Sequence, residues 1–197
     1  RLAFHGNARN GVDYDVYVVD VDAAGGVAGA PPATAGTAGG SAPTSTAASS
    51  VAPRLAIAAQ PGRQLQPLEW SPDGTRLLLR HDVSINDSSL FVADVATGTL
   101  SQLATTTGPD GKPAGRSVAI GAAHFSADGR GVWFVSDVGS DVARILFYDL
   151  TANTSREPFA GPGPAPGAAQ WDVEDLEISA DGRWLAWTTN VDGFSRL

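Results

Sequence analysis

The sequence predicts an all-β fold, an incomplete β-propeller built from four-stranded antiparallel blades. Three short turns share a serine followed two residues later by Asp-Gly, and large apolar side chains precede each of them. The turns are Ser71-Pro72-Asp73-Gly74, Ser126-Ala127-Asp128-Gly129 and Ser179-Ala180-Asp181-Gly182. Successive turn aspartates lie 55 and 53 residues apart. Short strands repeating at this period are typical of propellers or barrels, not of alternating βα units.

Each turn is predicted to join the first two strands of a blade. Apolar runs follow the turns at Leu77–Leu79, Val132–Val135 and Leu185–Trp187. An Asp-Gly turn between two apolar runs indicates a β-hairpin, because the aspartate bonds to nearby backbone and the glycine accepts positive φ. In the first turn, proline also presets φ at the first central position.

A third and a fourth strand follow at a constant distance. The third strand is predicted at Leu90–Asp94 and at Leu146–Leu150, and in both repeats the aspartate near its end lies 21 residues after the turn aspartate. A further turn then leads into Leu100–Leu103 and Ser155–Phe159. Each repeat is therefore predicted to be a four-stranded meander.

Both ends of the chain are expected to interrupt this repeat. The first residues, Arg1–Phe4, resemble a second strand and Val16–Asp20 resemble a third, whereas the position 21 residues after Asp181 falls beyond Leu197. The predicted divisions are a partial blade at 1–60, blades at 61–107 and 117–160, and a partial blade at 171–197, all belonging to one propeller domain. We expect a piece of a longer propeller that cannot close by itself.

Two stretches lack the strand pattern. Residues 23–53 contain no charged side chain and little beyond Ala, Gly, Pro, Thr, Ser and Val, so they are predicted to be a flexible insert before the outer strand at 54–58. The insert could be a linker or binding loop, although a tolerated insertion at a surface turn is the favoured interpretation. Residues 161–167 are predicted to be a connecting loop.

Composition narrows the function classes. The 197 residues carry a net charge of −8, which disfavours nucleic acid as a partner, and no apolar run is long enough to span a membrane. The absence of cysteine excludes disulfides, thiolate zinc sites and cysteine nucleophiles. It fits either a cytoplasmic or a periplasmic protein of a bacterium, so the compartment stays open.

No catalytic residue is predicted in this chain. A serine hydrolase needs Gly-x-Ser-x-Gly at a strand-to-helix elbow, and the nearest string, Gly115–Ala119 around Ser117, lacks the second glycine. Ser195 lies in a turn region and is also a poor candidate. The three histidines, His5, His81 and His124, lack the spacing of paired zinc ligands and are interpreted as strand-end or packing residues.

No cofactor or metal site is predicted either. Four carboxylates, Asp172, Glu174, Asp175 and Glu177, could bind a metal or a peptide amino terminus, but the solvated face of a first strand is favoured. The three turn aspartates could suggest a calcium ladder, but their turn role already explains them. Recurring aromatic side chains are predicted to pack between blades; they are Trp70, Phe125, Trp133, Phe134, Trp184 and Trp187.

Three stretches resemble the propeller of the prolyl oligopeptidase family of serine peptidases. They are Val83–Leu90, Trp171–Gly182 and Thr189–Leu197. With the blade pattern, the resemblance covers nearly the whole chain outside 23–53, although the Ser-Pro-Asp-Gly turn alone also occurs in TolB-like translocation propellers. The resemblance implies a propeller that gates and scaffolds peptide access to an α/β-hydrolase domain absent from this chain. Its implied partners are that domain, the remaining blades and a peptide substrate.

Two other functions stay open. One is a TolB-like propeller that binds protein partners without catalysis. The other is a propeller enzyme of the lactonase type with a metal in its central channel, which should place Asp, Asn, Glu or His at the inner strand ends of several blades. The sequence shows no such consistent set of Asp, Asn, Glu or His residues.

Overall fold

The computed structural model describes residues 1–21, 52–103, 105, 115–159 and 171–197. The predicted insert at 23–53, apart from its last two residues, and the predicted loop at 161–167 lie outside the described residues. The described chain contains strands and turns and no helix. It therefore holds no helix that could span a membrane.

In the described residues, fourteen strands form four antiparallel sheets, which are the blades. Blade 1 contains β1 Leu2–Gly6, β2 Asp15–Val19 and β3 Arg54–Ile57. Blade 2 contains β4 Gln66–Trp70, β5 Arg76–Ser84, β6 Asp87–Asp94 and β7 Leu100–Gln102.

Blades 3 and 4 repeat the same meander order. Blade 3 contains β8 Ile120–Phe125, β9 Gly131–Ser136, β10 Arg144–Asp149 and β11 Thr154–Arg156. Blade 4 contains β12 Val173–Ile178, β13 Leu185–Val191 and β14 Phe194–Arg196. The predicted all-β fold, part of a β-propeller with antiparallel blades, is confirmed.

The third strand of the last blade begins within the chain. It was expected to end beyond Leu197, and β14 begins at Phe194. The connection before it is tight: Asp192 and Gly193 both have positive φ, at 52° and 82°, and Val191 pairs directly with Phe194. A two-residue turn with positive φ at both positions suits the twist of antiparallel strands. The β5–β6 connection of blade 2 is equally short, since Ser84 pairs with Asp87.

The Asp-Gly turns of blades 2, 3 and 4 have the same geometry. In the first, Ser71 Oγ donates to Asp73 Oδ1 at 2.6 Å, and the Thr75 backbone N–H donates to the same oxygen at 3.1 Å. These hydrogen bonds lower the pKa of Asp73 to about 2. The equivalent serine–aspartate distances are also 2.6 Å in the other two turns, and the turn glycines have φ of 66°, 67° and 68°. The repeated aspartates are thus occupied by turn hydrogen bonds.

Blades pack face to face through three apolar cores. The largest side chains between blades 2 and 3 include Phe134, Leu146 and Tyr148. Blades 1 and 2 enclose a second core, and a smaller third core around Leu176 joins blades 3 and 4. Because blades 2 and 3 have a neighbour on both faces, their middle strands are apolar on both sides.

The turns of neighbouring blades lie against one another. Arg76 Nη2 donates to the Gly129 carbonyl at 2.8 Å, and Arg1 Nη1 donates to the Gly74 carbonyl at 3.2 Å. A Cβ on Gly182 would lie only 2.4 Å from the Cβ of Ala127. All three turns therefore occupy the same side of the arc of blades, which we name the turn end.

Candidate binding surfaces

The side opposite the turn end carries the connections between second and third strands, and we name it the hairpin end. Several apolar side chains at these connections are exposed. They are Val12, Tyr14, Val83, Ile85 and Phe194, from blades 1, 2 and 4. Ile85 is 91% exposed, Phe194 71% and Val83 67%. Val83 and Phe194 are strand residues next to the connections and the other three lie in the connections themselves, so exposed apolar side chains are grouped at this end of the blades.

Two recesses adjoin these side chains. The first, about 350 Å³, lies between the β1–β2 loop and blade 2 and is lined in part by Tyr14, Arg63 and His81. The second, about 430 Å³, lies between the β5–β6 hairpin and β8 and is lined in part by Ile85 and Ile120. Val83 and Asp82 line both recesses. The β5–β6 hairpin therefore stands between two concave sites.

A buried carboxylate fixes the loop that borders the first recess. The Asp15 side chain is fully buried and accepts two hydrogen bonds from Arg9, Nε to Oδ2 at 2.8 Å and Nη2 to Oδ1 at 3.1 Å. The Ala59 backbone N–H donates to Oδ1 at 2.8 Å. The Arg9 hydrogen bond is the main reason that the pKa of Asp15 is lowered. This two-point contact holds the loop in one conformation beside the recess.

A second polar feature lies on the inner strands β4, β8 and β12, of which β8 contacts each of the other two across the blades. The residue four positions before the turn aspartate is Glu69 in blade 2, His124 in blade 3 and Glu177 in blade 4. His124 Nδ1 lies 3.6 Å from Glu69 Oε1, while Glu69 Oε2 accepts the Phe125 backbone N–H at 2.7 Å. Titratable side chains thus share one level of three neighbouring inner strands.

This set was not predicted from the sequence, because the prediction rested on the turn residues and the apolar runs and not on the residue four positions before each turn aspartate. The constant offset from the turn aspartate could have shown it. His124 lies ahead of its turn, as predicted, but its side chain was predicted to be that of a strand-end or packing residue. Within the described ranges, no group of three His, Asp or Glu side chains is arranged to hold a metal ion.

The other two histidines are held separately. His5 lies at the end of β1 with its ring edge-on to Tyr14, at a centroid distance of 5.5 Å. His81 lies on β5, where its Nδ1 is 2.9 Å from the Gln64 carbonyl oxygen. The histidines therefore lie on three different blades, with His81 bordering the first recess.

The predicted acidic cluster divides among different partners. Asp172 accepts the Ala143 backbone N–H at 2.7 Å, and Asp175 accepts that of Leu176. Glu177 lies on the His124 side of β12. These three carboxylates therefore do not converge on one point.

The fourth carboxylate, Glu174, connects the two stretches that carry the peptidase resemblance. It accepts Asn190 Nδ2 at 2.9 Å and Ser195 Oγ at 2.6 Å, and these hydrogen bonds lower its pKa. Ser195 thus donates its hydroxyl to a carboxylate on the blade surface. Ser117, the other serine considered, is exposed in the loop before β8.

The aromatic side chains follow the packing prediction with one exception. Trp133 and Trp187 both stack on Phe159, at centroid distances of 6.0 and 5.7 Å, and so connect blades 3 and 4. Phe125 and Phe134 are buried between blades 2 and 3. Trp184 departs from the prediction because it is 71% exposed, and no other blade of the described residues covers it.

Comparisons with known proteins bear on the fold. No protein-family model matches the chain, and no curated protein matches it. Among solved structures, the chain is similar to a TolB-like protein from Agrobacterium tumefaciens, with a TM-score of 0.55 and 13% sequence identity over 95% of this chain. The match covers 49% of that protein, so the chain spans about half of its length. At this identity the likeness concerns the fold alone: the described chain has a TolB-like propeller fold.

Proposed function

We propose that this chain is part of a propeller that binds a protein or peptide partner at its hairpin end and performs no chemistry there. The exposed apolar side chains at the loop tips carry the proposal. Burying such side chains in a partner is the main favourable term in protein association, and a few of them usually dominate the affinity. The partner that fits is an extended segment, because the recesses on either side of the β5–β6 hairpin can each accept a side chain.

A peptide selection tests this proposal. A phage-displayed library of random peptides is selected against the chain, and the binding of enriched peptides is measured by calorimetry. We expect Ile85→Asp to weaken binding at least about tenfold, which corresponds to ~1.4 kcal/mol, because a charged side chain replaces an apolar contact. Ser101→Asp, on the outer strand β7 of the same blade, introduces the same charge away from the hairpin end and should leave binding unchanged.

Two results would contradict the proposal. One is enriched peptides that bind Ile85→Asp as tightly as the unaltered chain. The other is a selection that enriches no apolar peptide at all.

The gate of a prolyl-oligopeptidase-like peptidase is the second candidate. It is supported by the contact of Glu174 with Asn190 and Ser195, which brings together the two stretches that resemble that family. In this role the propeller would scaffold peptides on their way to a separate hydrolase domain. Reading the gene beyond Leu197 tests it, since a peptidase requires a following domain with Gly-x-Ser-x-Gly.

A further inference from the structure

Three blades meet at the imidazole of His124. Its own strand, β8, lies between β4 of blade 2 and β12 of blade 4, and both neighbours approach it at the level before the turn. From β4, the Glu69 carboxylate bridges the His124 ring and the adjacent Phe125 backbone N–H. From β12, which also contacts β8, Glu177 occupies the equivalent strand position, four residues before the turn aspartate.

The charged groups around this ring have one sign. Among the described residues, Glu69 on β4 contacts it and the negative charge of Glu177 on β12 acts on it electrostatically, while across the β8–β9 pair its partner is the uncharged Trp133. The His124 side chain is 24% exposed and that of Glu69 39% exposed, so the contact is only partly screened by water. An imidazolium in this place attracts two carboxylates on two different blades, whereas a neutral ring leaves the two negative charges uncompensated.

We propose that His124, which lies between Glu69 and Glu177, forms a pH-sensitive electrostatic contact that joins the inner strands of blades 2, 3 and 4. When the ring is protonated, charge-assisted contacts tie β4 and β12 to β8. When the ring is neutral, the apolar cores still hold the blades, but the inner-strand contacts loosen. This contact lies on the inner strands, away from the hairpin end, and so it is independent of the binding proposed above.

The direction of the effect follows from the titration. The contact with the Glu69 carboxylate is the largest cause that raises the pKa of His124 above 6.5, and burial opposes it. A group whose pKa is higher in the folded state stabilises that state fully below its unfolded pKa, and the contribution is lost as pH rises through the folded pKa. The stabilisation is therefore complete below about pH 6.5 and is lost as the pH rises from there through the raised pKa of His124.

The test compares thermal melts of the unaltered chain and of His124→Gln between about pH 5 and pH 8. All other titratable groups of the chain are the same in both proteins, so the difference between the two melting curves isolates His124. We expect the unaltered chain to melt higher than His124→Gln at the acidic end and the two melting temperatures to converge toward pH 8. Glu69→Gln, which can still accept the Phe125 N–H through its amide oxygen, should reduce the same difference.

An NMR titration supplies a second readout that does not depend on unfolding. The chain has only three histidines, so the signal missing from His124→Gln identifies His124. We expect that signal to titrate above 6.5 and to move down in Glu69→Gln and in Glu177→Gln. If His124→Gln fails to fold, the NMR titrations of Glu69→Gln and Glu177→Gln decide the question. A His124 signal that titrates identically in all three proteins, or a melting difference independent of pH, would overturn the proposal.

Discussion

Phe134→Ala is expected to destabilise the chain by about 3–5 kcal/mol, the usual cost of removing a fully buried aromatic side chain. Phe134 is 0% exposed in the core between blades 2 and 3, and it has neighbours on both strands that pair with β9. Truncation leaves a cavity that two-sided packing cannot close, because blade 3 is held by blades 2 and 4. Urea denaturation followed by tryptophan fluorescence measures the loss.

Phe194→Ala is the matched control for this prediction. The same atoms are removed, but Phe194 is 71% exposed at the hairpin end, so the change should stay within about 0.5 kcal/mol. Equal losses in the two variants would mean that the blades 2–3 core does not bear the stability of the chain.

Gly182→Ala is expected to cost more than Gly74→Ala, although both glycines occupy the same turn position. Their φ values are 68° and 66°, so both variants incur the strain of positive φ for alanine, about 1–2 kcal/mol. A Cβ on Gly74 meets nothing within 4 Å, whereas on Gly182 it lies 2.4 Å from Ala127 Cβ. We expect overpacking to add about 1–3 kcal/mol for Gly182 alone.

Ala127→Gly tests the cause of that difference. It removes the opposing Cβ, so the Gly182→Ala penalty measured in an Ala127→Gly background should fall toward that of Gly74→Ala. A double-mutant cycle gives the coupling energy directly. Additive effects would show that the turns of blades 3 and 4 do not lie in contact, and the stacking of blades at the turn end would have to be revised.

Strand positions were predictable because local chemistry specifies them. Asp73 and Gly74 define a turn through a side-chain hydrogen bond and a positive φ, and the apolar runs on either side have no other way to be buried than in a hairpin. Repetition of this pattern gave the order of strands in each blade. The start of β14 was not predicted because the connection between second and third strands has no constant length: it is Asp192–Gly193 in blade 4 but 137–143 in blade 3.

The candidate surfaces were less accessible to sequence reasoning. Val83 and Ile85 resemble any alternating strand residues, and only the projection of the β5–β6 hairpin beyond its neighbours leaves them exposed. Trp184 has the same strand position as Arg76, yet it is exposed because no blade covers that side of blade 4 in the described chain. Exposure depends on which blade lies alongside, and periodicity carries no information on that.

The sequence by itself determined the all-β class, the four-strand meander and the turn chemistry, since each hairpin of a blade lies within about twenty consecutive residues and depends on hydrogen bonds to near neighbours. The tertiary structure alone decided which side chains of different blades meet. Glu69, His124 and Glu177 are more than fifty residues apart along the chain, and they come together only because blades stack with their inner strands side by side. Contacts across stacked sheets follow from the packing of large side chains in three dimensions, and the linear repeat constrains their level but not their partners.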